Sequence, residues 1–307
     1  MSSKISTRIV VIFLSSCLLG SLSYAQRNFD TVQVRSAKLS DGIFMLTGSG
    51  GNIGLSSGED GIFIIDDQFA PLTDKIKTAI ATATGSTAPV RFVLNTHWHW
   101  DHTGGNENMG KAGAVIVAHK NVRKRMSVEN FNAFFKNTTP ASPAVALPVV
   151  TFTTDVTFHL NGDEIHVFHV DTAHTDGDAI VHFLKSNIVH MGDCFFNGFY
   201  PFIDVSSGGS VTGMIEAVDR VLAMINDQTK LIPGHGPLAG KAELKVFRDM
   251  LAGIAENVAK LIVEGKTLDE VKAAKPSKAF DETWGKGFMS PDNFVGIVYT
   301  SLAGIKK

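Results

Sequence analysis

Cysteine is almost missing from this chain of 307 residues, which holds only Cys17 and Cys194. Cys17 lies in an N-terminal stretch that reads as removable, so Cys194 is left without a partner and a disulfide framework is excluded. A thiol kept in an oxidising compartment is then buried, metal-bound or reactive. Charge of one sign is lacking too: 28 Lys and Arg face 30 Asp and Glu, formal net charge is −2, and no basic block stands out. That balance argues against a nucleic-acid surface and leaves a small-molecule substrate as the expected partner. A membrane-spanning run is also missing, because the apolar stretch 9–22 falls short of the about 20 residues a helical span needs. No linker or composition break divides residues 26–307, so they read as one domain.

With 44% hydrophobic residues, 19% charged residues and 29 glycines, the composition is that of a globular protein with ample core. Residues 1–25 have the three parts of a secretory signal: Lys4 and Arg8, the apolar run 9–22, and Ser23-Tyr24-Ala25 before Gln26. Leu14-Ser15-Ser16-Cys17 resembles a lipoprotein processing box, but residues 18–22 prolong the apolar run past the cysteine, which favours cleavage over a lipid anchor. The expected location is therefore the periplasm or the exterior, with 26 basic residues left against 30 acidic ones.

The densest chemistry lies in Asn95-Thr96-His97-Trp98-His99-Trp100-Asp101-His102-Thr103-Gly104-Gly105. It follows Val90-Arg91-Phe92-Val93-Leu94, a short β-branched and aromatic run that reads as a buried strand. On extended backbone, side chains at i and i+2 share a face, so His97 and His99 can reach one metal together. The chain then bends, and Asp101 and His102 can face a second position nearby. Zinc favours imidazole with some carboxylate, so the cluster reads as half of a two-metal site.

The rest of the chain fits an α/β reading. Strand-like segments between 29 and 55 precede Gly61-Ile62-Phe63-Ile64-Ile65-Asp66-Asp67, a buried strand ending in two carboxylates. Pro71 opens a helix with an apolar stripe at Leu72, Ile76, Ala79, Ile80 and Ala83. The return at 90–94 makes a β-α-β unit, which puts the histidines at the carboxyl end of a strand, where open α/β sheets bind ligands. Residues 114–118 read as a strand and 120–125 as a basic helix. Residues 127–150, with Phe131, Phe134 and Phe135, read as a helix and a covering loop; the phenylalanines pack in the core or form a lid. Residues 151–160 and 164–170 alternate as a hairpin around Asn161-Gly162. Strands at 179–184, 187–191 and 230–232 and a helix at 211–225 follow. Helices close the chain, among them a stripe from Leu244 to Leu261, a capping box at Thr267 and Glu270, and a last helix from Ser290-Pro291.

Three later segments place possible ligands after a strand and beside glycine or proline: His174 in residues 171–178, Gly192-Asp193-Cys194, and Gly234-His235-Gly236. The order His-x-His-x-Asp-His, lone His, Gly-Asp and Gly-His-Gly, running from Asp66 to His235, resembles the metallo-β-lactamase fold superfamily of zinc hydrolases. The resemblance implies a four-layer αββα sandwich with C-terminal helices and two zinc ions. It implies that His97, His99 and His174 hold one ion, that Asp101, His102 and His235 hold the other, and that Asp193 bridges them. Some β-lactamases of the superfamily use a cysteine in this fourth motif, while glyoxalase II-like hydrolases use the aspartate after glycine. Asp193 directly follows Gly192, which favours Asp193 and leaves Cys194 as a buried small hydrophobe. Asp66 or Asp67 matches the first motif, whose aspartate orients a ligand from behind; the alternative is a cap for the Pro71 helix. His119, His159, His166, His169, His182 and His190 have no such context and are expected to pack or to face solvent.

The implied activity is attack on a carbonyl of a lactam, lactone, ester or thioester by a metal-bridging hydroxide, with Asp101 orienting it and carrying the proton. Trp98, Trp100, Phe195, Phe196, Asn197, Tyr200 and Phe202 lie near the ligands in sequence and are expected to line an apolar cleft with one amide handle, or to fill core. No lysine follows the fourth motif, where many zinc β-lactamases hold the substrate carboxylate; the next is Lys230. Two other readings remain: a mononuclear iron persulfide dioxygenase, which shares much of the pattern, and a non-catalytic zinc-binding periplasmic protein.

Overall fold

The computed structural model describes residues 28–304. The expected signal peptide lies outside the described residues. The first sheet begins as an antiparallel meander of β1 (Arg35–Ser40), β2 (Ile43–Thr47), β3 (Ile53–Gly58) and β4 (Gly61–Ile65). A single 3-10 turn carrying Pro71 then leads into α1 (Thr73–Thr84), which Gly85 ends in the left-handed region. The chain returns as β5 (Val90–Asn95), parallel to β4, so the predicted β-α-β unit is present. Two short helices, α2 (Trp100–Thr103) and α3 (Asn106–Lys111), carry it to β6 (Val115–His119), also parallel, and then to α4 (Lys120–Met126).

The next segment departs from the expected helix. It is a small hairpin, β7 (Asn130–Asn132) and β8 (Asn137–Thr139), followed by a 3-10 turn. Asn132 is the cause: its Oδ1 accepts from the backbone N–H of Phe134 and Phe135, turning the chain where a helix would continue. The expected single strand over 151–160 is also divided. Its start is β9 (Val150–Phe152), which adds to β6 at the edge of the first sheet, and the rest is β10 (Asp155–Leu160) of the second.

In the second sheet β10 pairs with β11 (Asp163–His169) across the predicted Asn161-Gly162 turn. Then come β12 (Ala179–Phe183), β13 (Ile188–His190) and, after α5 (Val211–Met224), the parallel strand β14 (Lys230–Ile232). The tail contains α6 (Lys241–Val263), α7 (Leu268–Ala274) behind its Thr267–Glu270 capping box, α8 (Asp281–Trp284), and α9 (Pro291–Leu302) capped by Ser290.

Strand alternation explains the layering. Met45, Phe63, Ile65, Leu94 and Val117 of the first sheet meet Ile165, Val167, Val181, Phe183 and Ile232 of the second in one buried layer. The opposite face of the first sheet, with Leu46, Leu55 and Ile64, packs on Ile76 and Ile80 of α1. That of the second, with Phe168, Ile180 and Val189, packs on α5, α6 and α9. Burying each such side chain is worth about 1.5–3 kcal/mol, so a one-residue slip of any strand would forfeit several of them. The result is the expected αββα sandwich. The segments following β4, β5, β11, β13 and β14 all supply side chains to a single site.

Candidate metal centre

The structure brings the predicted ligands together from four segments. One nitrogen or oxygen each from His97, His99, His174 and Asp193 lie within 4.8 Å of one another, and so do those of Asp101, His102 and His235. Asp193 stands between the groups, with Oδ1 3.1 Å from His102 Nε2 and Oδ2 3.4 Å from both His174 Nε2 and His235 Nε2. Asp101 Oδ2 is 3.5 Å from His235 Nε2. Every one of these side chains is buried except those of Asp101 and His235, which reach the cleft.

Four of the five imidazoles are held from behind, and this fixes which nitrogen each presents. Asp66, at the end of β4, accepts from the backbone N–H and hydroxyl of Thr96 and, at 2.7 Å, from His102 Nδ1–H. Because the Thr96 proton is used on Asp66, Thr96 Oγ1 is left to accept from His97 Nδ1–H at 3.0 Å. His174 Nδ1–H donates to the carbonyl of Phe202 at 2.8 Å, and His99 Nε2–H donates to Asp204 Oδ2 at 3.0 Å. The inward nitrogens of His97, His99 and His174 are therefore bare. His97 Nε2 is buried with no hydrogen-bond partner, and His99 Nδ1 lies 2.8 Å from His174 Nε2. Two lone pairs at that distance repel, and a shared divalent cation removes the repulsion. The donor set fits a divalent metal.

Protonation follows the same division. Burial and the neighbouring His102 hold His97 well below the ordinary imidazole pKa, and burial brings His174 down to about 4. At His102 burial acts downward, but the carboxylates of Asp193, Asp66 and Asp101 outweigh it and raise the pKa well above its ordinary value. His235 is raised too, burial being overcome mainly by Asp193. Asp193 itself is held well below the usual carboxylate range, because His235 and three further imidazoles overcome its burial. Positive charge is thus already favoured at this point of the fold.

Close approach demands glycine at two positions. A Cβ on Gly51 would collide with the ring of His102, and one on Gly234 would collide with Asp193 Oδ1. Asn52 braces the last loop by donating Nδ2–H to the carbonyls of Pro233 and Gly236, both at 2.9 Å. Asp67 sits behind the site: it accepts from Gly105 N–H at 2.9 Å, and burial pushes its pKa well up.

Cys194 is outside both ligand groups. It is buried in the helical-side core, its Sγ 3.8 Å from Asp178 Oδ2, and burial pushes the thiol pKa well up. Asp178 supports the His174 loop by accepting from the backbone N–H of His174 and Thr175.

The expected substrate residues divide. Trp100, Phe196 and Phe202 line a cleft of about 660 Å³ that opens onto Asp101, Asp193 and His235. Trp98 reaches it with one edge while packing into a small core of Val122, Met126 and Leu147. Three residues do not line it. Tyr200 is fully buried, its hydroxyl 2.9 Å from Asp281 Oδ1 and its ring stacked on Phe294. Phe195 packs on Phe247, and Asn197 donates its amide to the carbonyl of Pro237. Lying next to a ligand in sequence did not put them beside it in space, because the chain turns away after the short helical turn Gly192–Cys194. The polar handles come instead from the β7–β8 hairpin, as Asn132, Lys136, Asn137 and Thr139. Phe131 and Phe135 are 62% and 50% exposed, so the hairpin phenylalanines do not fill the core.

Sequence reasoning placed Phe202 at the cleft but missed that its carbonyl holds His174 and that Asp204 holds His99. Asp204 is buried and also accepts from Ser206 and Ser207; these bonds, with that from His99, overcome burial and lower its pKa.

Stacked sheets with a buried His/Asp cluster at one edge define a metal-binding protein of hydrolase-like build. The chain belongs to the metallo-beta-lactamase superfamily, whose family model matches residues 68–243. Among curated proteins it is 24% identical over 148 residues to a hydroxyacylglutathione hydrolase of Pelagibacter ubique (strain HTCC1062), matching 48% of this chain and 52% of that protein. The chain thus spans about half the length of that relative. Among solved structures it resembles a metallo-beta-lactamase from Pontibacter korlensis (TM-score 0.57, 21% identity, 72% of this chain and 99% of that one). It also resembles the stereoselective inverting sec-alkylsulfatase Pisa1 from Pseudomonas sp. (TM-score 0.67, 16% identity, 89% of this chain and 51% of that one). At these identities the two structures bear on the fold alone.

Proposed function

We propose that this chain is an exported hydrolase with two zinc ions, acting on a carbonyl of a lactam, lactone, ester or thioester. The observation that carries the reading is the presence of two donor groups meeting at one buried carboxylate, Asp193. His97, His99 and His174 would hold one ion, Asp101, His102 and His235 the other, with Asp193 shared. Zinc bound there would polarise the carbonyl and make water acidic enough to act near neutral pH.

The side chains supply the rest. Asp101, partly open to the cleft, would orient the attacking water, accept its proton at Oδ2 and return it to the leaving group. Asp66, Thr96, Asp204 and the Phe202 carbonyl keep the imidazoles of His102, His97, His99 and His174 in the tautomer that would bind metal. Trp100, Phe135 and Phe202 exclude bulk water from one side of the cleft. The curated relative bears the name of a hydrolase, hydroxyacylglutathione hydrolase, which supports a hydrolytic reading here. The composition of residues 1–25 supports export.

The test combines metal quantification on the purified protein with a hydrolysis screen of nitrocefin, lactones, esters, thioesters and an alkyl sulfate, with and without chelator. The expected result is two zinc ions per chain and turnover that the chelator abolishes. His99→Ala and Asp101→Ala should each lose that turnover while keeping the circular dichroism of the parent. One bound iron with thiol-dependent oxygen uptake, or bound zinc with no turnover of any substrate class, would reject the proposal.

A further inference from the structure

Of the described residues lining the cleft, Lys136 is the single lysine or arginine. It sits on the turn of the β7–β8 hairpin, is exposed, and adopts φ +50, a conformation that costs a non-glycine residue free energy unless its surroundings hold it. No ion pair occupies it among the described residues.

The hairpin that presents it is tied to the metal centre. Asn132, buried at the start of the turn, donates Nδ2–H to Asp204 Oδ2 at 3.4 Å, the same oxygen that receives His99 Nε2–H. Phe134 and Phe135 pack on Phe202, with ring centroids 5.4 and 5.0 Å away, and the Phe202 carbonyl holds His174. The backbone that carries the lysine is therefore tied to the segment that holds the ligands rather than forming a free flap. Across the cleft Phe199 and Phe288 form an aromatic wall, with Phe288 58% exposed, and Trp100 forms another at 50%.

A cavity with its reactive centre at the floor, aromatic walls and one cation at the rim matches a ligand with three parts. We infer that Lys136 is the specificity residue of this site, receiving a carboxylate on an apolar substrate whose scissile bond lies at the His/Asp cluster. This inference rests on the metal-hydrolase reading above. Lys230, the next lysine after Lys185, lies in β14 and donates to the Leu39 carbonyl, so it does not reach the cleft.

The test uses two matched metal-seeking ligands on zinc-loaded protein, followed by titration calorimetry: 2-benzyl-3-mercaptopropanoate and its primary amide. They share the thiol and the phenyl ring and differ in the charge. The acid should bind about fivefold tighter than the amide, the size of a contact worth about 1 kcal/mol at a partly exposed rim. The preference should shrink as salt is raised, because the contact is open to ions. Lys136→Ala should remove the preference and leave the amide affinity unchanged, Lys136→Arg should restore it, and Lys136→Glu should reverse it. A full preference surviving in Lys136→Ala, or equal binding of acid and amide to the parent, overturns the inference while the metal reading stands. If neither ligand binds the zinc-loaded protein, the metal reading falls and the inference falls with it.

Discussion

Replacing Asp204 by Asn keeps the shape of the side chain behind His99 and removes its charge. In the structure the carboxylate collects His99 Nε2–H at 3.0 Å, the Ser207 hydroxyl at 2.7 Å and the Ser207 backbone N–H at 3.2 Å, besides Ser206 and Asn132. An amide offers one accepting oxygen, so at least one of these donors would face an N–H instead of an oxygen. Loss of the negative charge also makes the imidazole a poorer donor to metal. Partners of this kind change metal affinity by about 10–100-fold, equivalent to about 1.4–2.7 kcal/mol. Titration against a chromophoric zinc chelator should show one of two ions weakened by that factor and the other held within threefold. Asp66→Asn, which acts behind His102 at 2.7 Å and, through the Thr96 hydroxyl, behind His97, should instead weaken both ions. The metal-free variants should melt within a few degrees of the parent, so that the loss is one of affinity and not of folding. Two ions bound with parental affinity in Asp204→Asn would refute the claim that Asp204 positions His99. Equal loss of both ions together with loss of circular dichroism would make it a folding residue instead.

Three further outcomes follow from particular contacts. Gly51→Ala drives a methyl into the His102 ring and should lower metal loading with secondary structure intact; full loading would show that the loop can give way. Tyr200→Phe removes a partly buried hydrogen bond to Asp281 and should cost about 1 kcal/mol of stability in denaturant titration, while the affinity of cleft ligands stays at the parental level. The metal-free protein should lose stability as pH falls from 6.5 towards 4. Burial holds both His174 and His119 near 4, so in that window the unfolded imidazoles take up protons that the folded ones refuse. His119→Gln, a residue outside both ligand groups, should flatten that part of a melting profile recorded against pH; an unchanged slope would remove His119 as a source.

The layers were legible where period and burial agree. Gly61–Ile65 and Ala179–Phe183 are nearly continuous apolar runs because both faces of their strands are covered. The hairpin was not legible for a definite reason. Phe131, Phe134 and Phe135 have the i, i+3, i+4 spacing of a helical stripe, and nothing in the spacing reports that Asn132 will bind the backbone of its neighbours. Of the three, Phe135 lines the cleft, Phe134 packs on Phe202 and Phe131 faces solvent, an arrangement the hydrophobic pattern cannot tell from a face turned to the core. The same ambiguity hid Lys136, which read as one more polar residue in a loop.

At the site, the legible ligands share one habit: each follows a strand, beside glycine or proline, so the end of a β-run marks it. Asp204 follows no strand. It lies in a turn at Asp-Val-Ser-Ser-Gly, where an aspartate ordinarily caps the turn, and here it does so as well, accepting from Ser207 N–H. One carboxylate thus caps its own turn, fixes the tautomer of His99 and tethers Asn132 of the hairpin. Only the first of these is local in sequence. The other two cross from residue 204 to residues 99 and 132, and no periodicity encodes contacts of that range. A site of this kind therefore shows its metal ligands in the sequence before it shows what holds them, and the substrate wall, hung on the same carboxylate, comes last.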